Sequence, residues 1–316
     1  MAKSTRTHGE TGGRQQRWSD SLNSVPTPSL TDLPIRRLTH RDLATCADLS
    51  EDRGWPREEH KWGLLLSAGK GYGIDDPDGG LISACVVTEY GPYGNPSFGA
   101  VGMVLVAARH ARRGVGRRLM QHIVSLMGTT PLTLHATPNG RPLYEELGFK
   151  TTGRAEMLRG HFTPRVPAPD PAGDIATRAA TADDLPSVLR LDEEVFGADR
   201  THMITRLPAF ADQFRVAEEA GRIIGYAAAW PNMDTQVVGP LIARDTKTAQ
   251  ALLASLAART DLPLRTDIDV RHEELLAWVK AQGLESVAFN SVMTYGIPGL
   301  PGDWRRRFAP LTVAAG

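Results

Sequence analysis

The chain has 316 residues, enough for two domains, and 41% of them are hydrophobic, enough for real cores. Lys and Arg together number 36, as do Asp and Glu, so the formal net charge is zero. That balance argues against a protein drawn to nucleic acid by bulk charge. No apolar run approaches membrane-spanning length and the first residues lack a signal-peptide core, so we expect a soluble, cytoplasmic protein.

Residues 1–33 are rich in Gly, Ser, Thr, Gln and Arg, which predicts a disordered tail. The globular pattern begins at residue 34. The two cysteines, Cys46 and Cys85, both stand in apolar surroundings. We therefore interpret them as small buried thiols, and nothing in the sequence indicates a disulfide framework or a metal site.

The segment PIRRLTHRDL predicts a first strand and the start of a helix that Thr39 caps and that runs to about Glu51. A second helix is predicted to end at Gly69. Strands are predicted around residues 71–74 and 81–89. The turn between them, DDPDGG, is a strong hairpin signal.

The segment from Val101 to Met127 predicts a strand, a basic glycine loop and an amphipathic helix. In the loop, Gly114 and Gly116 let the backbone approach a ligand closely. The first amides of the helix and the positive end of its dipole favour a phosphate. The loop has no Gly-Lys-Ser/Thr of a Walker motif and lacks the third glycine of a dinucleotide fingerprint. A capped surface helix with solvated arginines is the alternative for this stretch alone.

The next segment, LTLHATPNGRPLYEELGFKTTG, predicts a strand, a short helix that carries Tyr144, and a further strand after Gly148. Here the chain resembles the GNAT acyl-CoA N-acyltransferase family. One family signature, Gln/Arg-x-x-Gly-x-Gly/Ala, matches residues 111–116, and the other matches Leu143-Tyr144 with Gly148-Phe149. The chain departs from the family pattern at Ala111 and at Thr137, where many members have an asparagine that contacts the cofactor.

The resemblance implies an α/β fold with a mixed (α+β) sheet, with acetyl-CoA as cosubstrate. The pyrophosphate needs amides and cations, and the pantetheine arm can pair with the end of the signature strand as an extra strand would. A backbone amide there can also polarise the thioester carbonyl. The residues expected to bind the cofactor are Val104, Leu105, Val106, Arg112, Arg113, Gly114, Val115, Gly116, Arg117 and Thr137.

Acyl transfer to an amine needs a proton donor for the leaving thiolate and a base for the incoming ammonium. Tyr144 is the candidate acid, with packing of the short helix as its alternative role. Glu89 and His135 are the candidate bases, although a solvated strand end and a satisfied core histidine are the alternative interpretations. A water relay is also open.

Residues 165–174, RVPAPDPAGD, predict a stiff linker, and the pattern then restarts. We predict a first GNAT domain over residues 34–164 and a degenerate second one over residues 175–316. The second copy has a short, glycine-free loop and Val279 in place of the tyrosine. Its helix start at residues 246–249 could still bind phosphate, with help from Lys247. The cluster WRRRF at residues 304–308 is predicted to face the surface, with contact to an acidic acceptor as the alternative.

We therefore expect an acetyltransferase that acts on a small-molecule amine. A protein N-acetyltransferase is the second hypothesis, and a non-catalytic acyl-CoA-binding or regulatory protein is the third. Gly114, Gly116 and Tyr144 favour an enzyme. An enclosed pocket between the two domains would favour a small acceptor, and an open groove would favour a peptide. The sequence does not reveal the oligomeric state.

Overall fold

The computed structural model describes Met1, residues 29–164 and residues 175–316. We call residues 29–164 the first half and residues 175–316 the second half. Most of the predicted tail and the whole predicted linker lie outside the described residues. The first half runs β1 (Arg36–Leu38), α1 (Leu43–Asp52), α2 (Glu59–Ala68), β2 (Lys70–Asp75), β3 (Leu81–Tyr90), β4 (Phe98–Val106), α3 (Val115–Met127), β5 (Leu132–Ala136), α4 (Arg141–Glu146) and β6 (Lys150–Gly160).

The second half repeats this order with changes. Its elements are β7 (Ala176–Ala179), α5 (Leu185–Phe196), α6 (Thr201–Ile204), α7 (Leu207–Phe210), β8 (Gln213–Glu219), β9 (Arg222–Asn232), β10 (Thr235–Ala243), α8 (Thr246–Ala257), β11 (Leu264–Asp269), α9 (Glu273–Ala281), β12 (Glu285–Tyr295) and β13 (Arg307–Ala309). The internal repeat read from the sequence is therefore present in the fold.

Local sequence signals explain the first-half elements. Thr39 and Asp42 form a reciprocal capping box at the entry to α1, as predicted. The predicted hairpin joins β2 to β3. In α3, Val115, Leu119, Ile123 and Met127 are buried on one face, the spacing that an amphipathic helix requires. Both cysteines are free and fully buried, which confirms that prediction.

The two halves share one mixed sheet, because each gives its last long strand to the other. The order is β1-β2-β3-β4-β5-β12-β6-β11-β10-β9-β8-β7, with β13 added to β10. Strand β12 of the second half pairs antiparallel with β5 and with β6 of the first. Strand β6 in turn pairs antiparallel with β11. Neither half therefore completes its sheet with its own last strand.

The helices cover this sheet from both faces. Helix α3 packs over a first-half core that contains Cys85 and Met293, the latter from β12. Helices α8 and α9 pack over a second-half core. The opposite face carries one core shared by both halves, in which Trp62 and Tyr90 pack with Phe196 and Trp230. Among the described residues no helix is long and apolar enough to cross a membrane.

Helix α2 of the first half docks on the second half through polar and aromatic contacts. His60 stacks on Phe210 with ring centroids 4.2 Å apart and bonds the Phe210 carbonyl at 2.7 Å. Glu58, which is buried, pairs with Lys61 and accepts a hydrogen bond from Asn232 at 2.9 Å. Burial lowers the pKa of Lys61, against the raising effect of the Glu58 carboxylate. A buried charge is costly unless it is paired, so this contact has little freedom to shift.

Residues 29–33, which the sequence assigns to the tail, lie against the body of the first half. Leu30 and Leu33 pack on a small core around Ile74 and Ile82. The Arg118 guanidinium donates to the Leu30 carbonyl at 3.1 Å and also to the Leu33 carbonyl. The Arg118 side chain therefore binds residues 29–33 of its own chain.

Strand exchange predicts that the halves stay together when the chain between them is cut. A protease site inserted between residues 164 and 175 can be cleaved in native buffer. We expect both fragments to co-elute from a sizing column, because β6 is hydrogen-bonded along both edges to second-half strands. Separation of the fragments without denaturant would contradict the shared sheet, and separation in urea alone is the expected control result.

Candidate active site

The sheet opens between β4 and β5. Their parallel ladder runs from Gly99–Leu132 to Val101–Leu134 and then stops. Against β3, β4 contains one extra residue between Gly102 and Leu105, where Met103 has a φ of 52°. A bulge of this kind bends the strand and releases backbone groups from the ladder. The edge of β4 that faces the opening, from Val104 to Val106, therefore has no strand partner in the described part of the chain.

A cavity of about 470 Å³ lies at this opening, within the usual range for small-molecule sites. Its lining brings together most of the predicted cofactor residues. Those lining it are Val104, Leu105, Val106, Arg112, Gly114, Val115, Gly116, Arg117 and Thr137. Arg113 is exposed beside the cavity and does not line it.

The start of helix α3 faces this cavity with its amides uncapped. Gly114 at the N-cap has a φ of 78°, a conformation that glycine adopts without strain, and no side chain bonds the helix start. A Cβ at Gly116 would lie 3.4 Å from Leu143 and from Val106, so the backbone is closely packed there. Unfilled amides at a helix N-terminus favour an anion.

The arginines of the loop differ in their availability. Arg112 and Arg113 are exposed, and no carboxylate in the described residues pairs with either. Arg117 pairs with Glu146 of α4. Two unpaired guanidinium groups and the helix dipole make this end of the cavity positive.

Tyr144 packs directly behind the cavity wall. Its ring lies 3.2 Å from where a Cβ at Gly140 would be, and Gly140 lines the cavity. The side chain is buried against Phe149, and its hydroxyl makes no hydrogen bond to any described residue. Burial raises the pKa of Tyr144 well above its usual range, with a smaller contribution from Cys85. The phenol therefore keeps its proton at any physiological pH.

The two candidate bases lie apart from each other. Glu89 stands near the end of β3, where Lys70 holds its carboxylate at 2.6 Å. His135 is on β5 and lines a second cavity of about 30 Å³ at the centre of the sheet, together with Asp269, Arg271 and Trp304. Burial, with Arg307 nearby, lowers the pKa of His135 to about 4. The imidazole is thus neutral at pH 7 but only a weak base.

Only part of the cluster at residues 304–308 faces the surface as predicted: Arg305 is exposed, whereas the end of the cluster is buried. Phe308 is buried in the second-half core and Ala309 is buried beside it. Arg307 is half-buried, with its guanidinium 4.4 Å from the Phe196 ring centroid. The prediction fails there because β13 pairs with β10, a long-range contact that three arginines in sequence do not indicate.

Several cavity residues were missed at the sequence level. Arg53 and Trp55 come from the turn after α1, and Asn139 and Gly140 come from the turn before α4. The positive φ of Met103 is also unreadable from sequence, because bulky residues rarely adopt it. Asn139 and Gly140 stood next to a predicted residue, Thr137, and could have been included on that ground.

These features define the class of protein. The fold is an α/β domain in duplicate, and the site is a cleft between two splayed parallel strands with an uncapped helix at its mouth. The uncapped helix start and the unpaired arginines favour an anion at this end of the cleft.

Comparisons with known proteins agree on the family. Two models of the acetyltransferase (GNAT) domain match the chain, one over residues 93–163 and one over residues 188–309. YitH of Bacillus subtilis, an uncharacterized N-acetyltransferase, is 28% identical over 229 residues, which cover 70% of this chain and 77% of YitH.

Solved structures share the two-domain fold. A candidate acetyltransferase from Pyrococcus horikoshii superposes with a TM-score of 0.74 at 17% identity, covering 92% of this chain and 98% of that one. A tandem GNAT protein from the clavulanic acid biosynthesis pathway gives a TM-score of 0.62 at 16% identity, covering 83% and 98%. The chain belongs to the GNAT acetyltransferase family, whose members are acetyl-CoA-dependent N-acyltransferases, and it carries two GNAT domains in tandem.

The environment of His135 predicts its titration. Its imidazole should titrate near pH 4 and not near 6.5, because burial and Arg307 disfavour the charged form. Unfolded chain would then bind a proton that native protein does not, so stability should fall as pH drops from 6.5 to 4. An NMR titration of the histidines, in which the His135 signal is assigned with His135→Gln, measures this pKa. The variant should lose less stability over that range, and an unchanged slope would contradict the assignment.

Proposed function

We propose that the first half transfers the acetyl group of acetyl-CoA to a small-molecule amine. The observation that carries the proposal is the cleft between β4 and β5, with an unpaired strand edge, an uncapped helix start and unpaired arginines in one cavity. The pyrophosphate would bind the amides at residues 114–116, with Arg112, Arg113 and Arg117 around it. The pantetheine amides would pair with Val104–Val106.

The bulge in β4 supports direct acyl transfer. Backbone amides released near Met103 can donate to the thioester oxygen as negative charge develops on it. A base first takes a proton from the incoming ammonium, and the free amine nitrogen then attacks the thioester carbon to form a tetrahedral intermediate. That intermediate loses a second proton from nitrogen, its carbon–sulfur bond breaks, and Tyr144 gives its phenolic proton to the leaving sulfur. One of the two protons lost from nitrogen returns to Tyr144 and the other goes to solvent, so the products are the amide and the CoA thiol.

The proton of the incoming ammonium needs an acceptor. His135 is neutral but weakly basic, and Glu89 is ion-paired, so a water relay to either group is the arrangement we favour. With a pKa of about 4, His135 is unprotonated throughout the neutral range, so its own titration would not produce a rising limb of the pH–rate profile near pH 6.5.

The cover over the sheet face that carries His135 favours a small acceptor over a peptide. Helices α1, α2 and α5–α7 and the last residues of the chain cover the face of the sheet that carries His135. A peptide would need an open groove on that face. The protein-acetylating alternative therefore has less support than the small-molecule one.

The cofactor site is tested by Gly114→Glu, which places a carboxylate where the pyrophosphate would bind. Calorimetric titration with acetyl-CoA should give one site in wild type and at least about 100-fold weaker binding in the variant, because like charges repel. Gly94→Glu is the matched control, since Gly94 has a φ of 79° and no atom near its Cβ position. Equal loss in both variants, or none in Gly114→Glu, would refute the site.

The acid role is tested by Tyr144→Phe. We expect turnover, measured as thiol release with an amine that wild type acetylates, to fall by about 10²–10⁴-fold. Stability and acetyl-CoA affinity should be unchanged, because the hydroxyl makes no hydrogen bond to the described residues. Tyr72→Phe is the matched control, since Tyr72 is equally buried in the same core. Full turnover in Tyr144→Phe would leave Tyr144 with a packing role only.

A further inference from the structure

The second half carries a matching opening between β10 and β11. Their parallel ladder ends at Val238–Thr266, just as that of β4 and β5 ends at Val101–Leu134. A glycine follows in each case, Gly239 or Gly102. Both strands then contain an extra residue against the neighbouring antiparallel strand. By this register Leu241, Ile242 and Ala243 match Val104, Leu105 and Val106.

Strand β13 lies in that second opening. It pairs antiparallel with β10, with Ala309 opposite Leu241 and Arg307 opposite Ile242. The Ala243 amide donates to the Arg306 carbonyl at 3.0 Å. The strand edge that is free in the first half is therefore hydrogen-bonded to the chain itself in the second.

Two further features close the second opening to a cofactor. At the bulge, Pro240 stands where Met103 stands in β4, and a proline has no amide to offer an oxyanion. At the start of α8, the Asp245 carboxylate accepts from the Thr248 amide at 2.8 Å. An anion thus already occupies this helix start, which the sequence analysis had left open to phosphate.

Phe308 fixes β13 in place. Its side chain is 1% exposed and packs in the second-half core, and its ring lies tilted against His272 with the ring centroids 4.2 Å apart. A Cβ at Gly239 would lie 2.1 Å from the Pro310 carbonyl oxygen, so the chain passes over this glycine with no room for a side chain.

The chain continues from β13 to the bulge of the first half. Ala314 lies against Gly102, since a Cβ at Gly102 would be 2.3 Å from the Ala314 carbonyl oxygen. Tyr90 donates to the Ala315 carbonyl, and Trp230 donates to the Leu311 carbonyl at 3.2 Å. Residues 311–315 thus pass beside Gly102, one residue before the bulge that we propose to polarise the thioester.

We propose that the second half holds its own strand β13 where the first half takes acyl-CoA, and that this contact positions residues 311–315 as a wall of the first active site. The inference rests on the proposed cofactor site of the first half. By this inference the second GNAT domain is a closed copy, meaning that β13 fills its opening and it binds no acyl-CoA. Its contact with β13 is the anchor that holds residues 311–315 in place.

Hydrogen exchange with and without CoA tests the closed copy. We expect CoA to slow exchange over residues 103–116, while residues 240–249 are slow from the start and do not respond. Slowing in both stretches would overturn the closed copy. No response in either stretch would refute the proposed cofactor site, and the variant described next then decides the inference alone.

Gly239→Ala tests the anchor, because its Cβ must displace Pro310. We expect faster exchange over residues 241–243 and 307–315 and at least about tenfold lower turnover, with CoA affinity within twofold of wild type. Gly299→Ala is the control, since nothing lies within 4 Å of its Cβ position. Faster exchange with unchanged turnover would overturn the positioning role, and unchanged exchange would overturn the anchoring contact.

Discussion

Strands β6 and β12 lie side by side at the centre of the sheet, and each has a strand of the opposite half on its outer edge. Most other features of the molecule depend on this exchange. It removes two free strand edges, which would otherwise invite pairing with other chains. It also brings the faces of both halves together, so that Trp62 and Tyr90 of the first half share a core with Phe196 and Trp230 of the second.

The same backbone arrangement occurs in both halves but has a different role in each. A parallel pair that stops early, a glycine and a bulge make an opening in the sheet each time. In the first half the opening remains free and meets an uncapped helix start. In the second half β13 occupies the opening, held by its hydrogen bonds to β10 and by the burial of Phe308 and Ala309. The difference lies in what fills the opening, not in the opening itself.

The charges at the starts of α3 and α8 also differ between the two halves. Helix α3 begins at Gly114 with Arg112 and Arg113 unpaired beside it, so an anion is favoured there. Helix α8 begins at Asp245, whose carboxylate already satisfies the Thr248 amide and also pairs with Arg244. Asp245 has a lowered pKa, to which the Thr248 amide and Arg244 contribute against burial, so its carboxylate remains charged.

The sequence predicted best those features whose signals lie in neighbouring residues. The capping box at Thr39, the hairpin between β2 and β3 and the buried stripe of α3 follow from neighbouring residues, and the structure has all of them. The predicted cofactor residues mostly line one cavity, because a strand, a loop and a helix in succession must stay close in space. The cluster at residues 304–308 was misjudged, since its partner strand β10 lies some 65 residues away in the chain.

By itself, the sequence determined the order of the elements, the internal repeat, the resemblance to GNAT acyltransferases and the contrast between a glycine loop and a glycine-free one. These are properties of short segments, where periodicity and backbone preferences act. Only the tertiary structure decided that the halves exchange β6 and β12, that Met103 forms a bulge, and that β13 fills the second opening. Strand pairing joins residues far apart in the chain, and a three-residue strand has no periodic pattern of its own, so its place is set by the edge and the pocket that receive it.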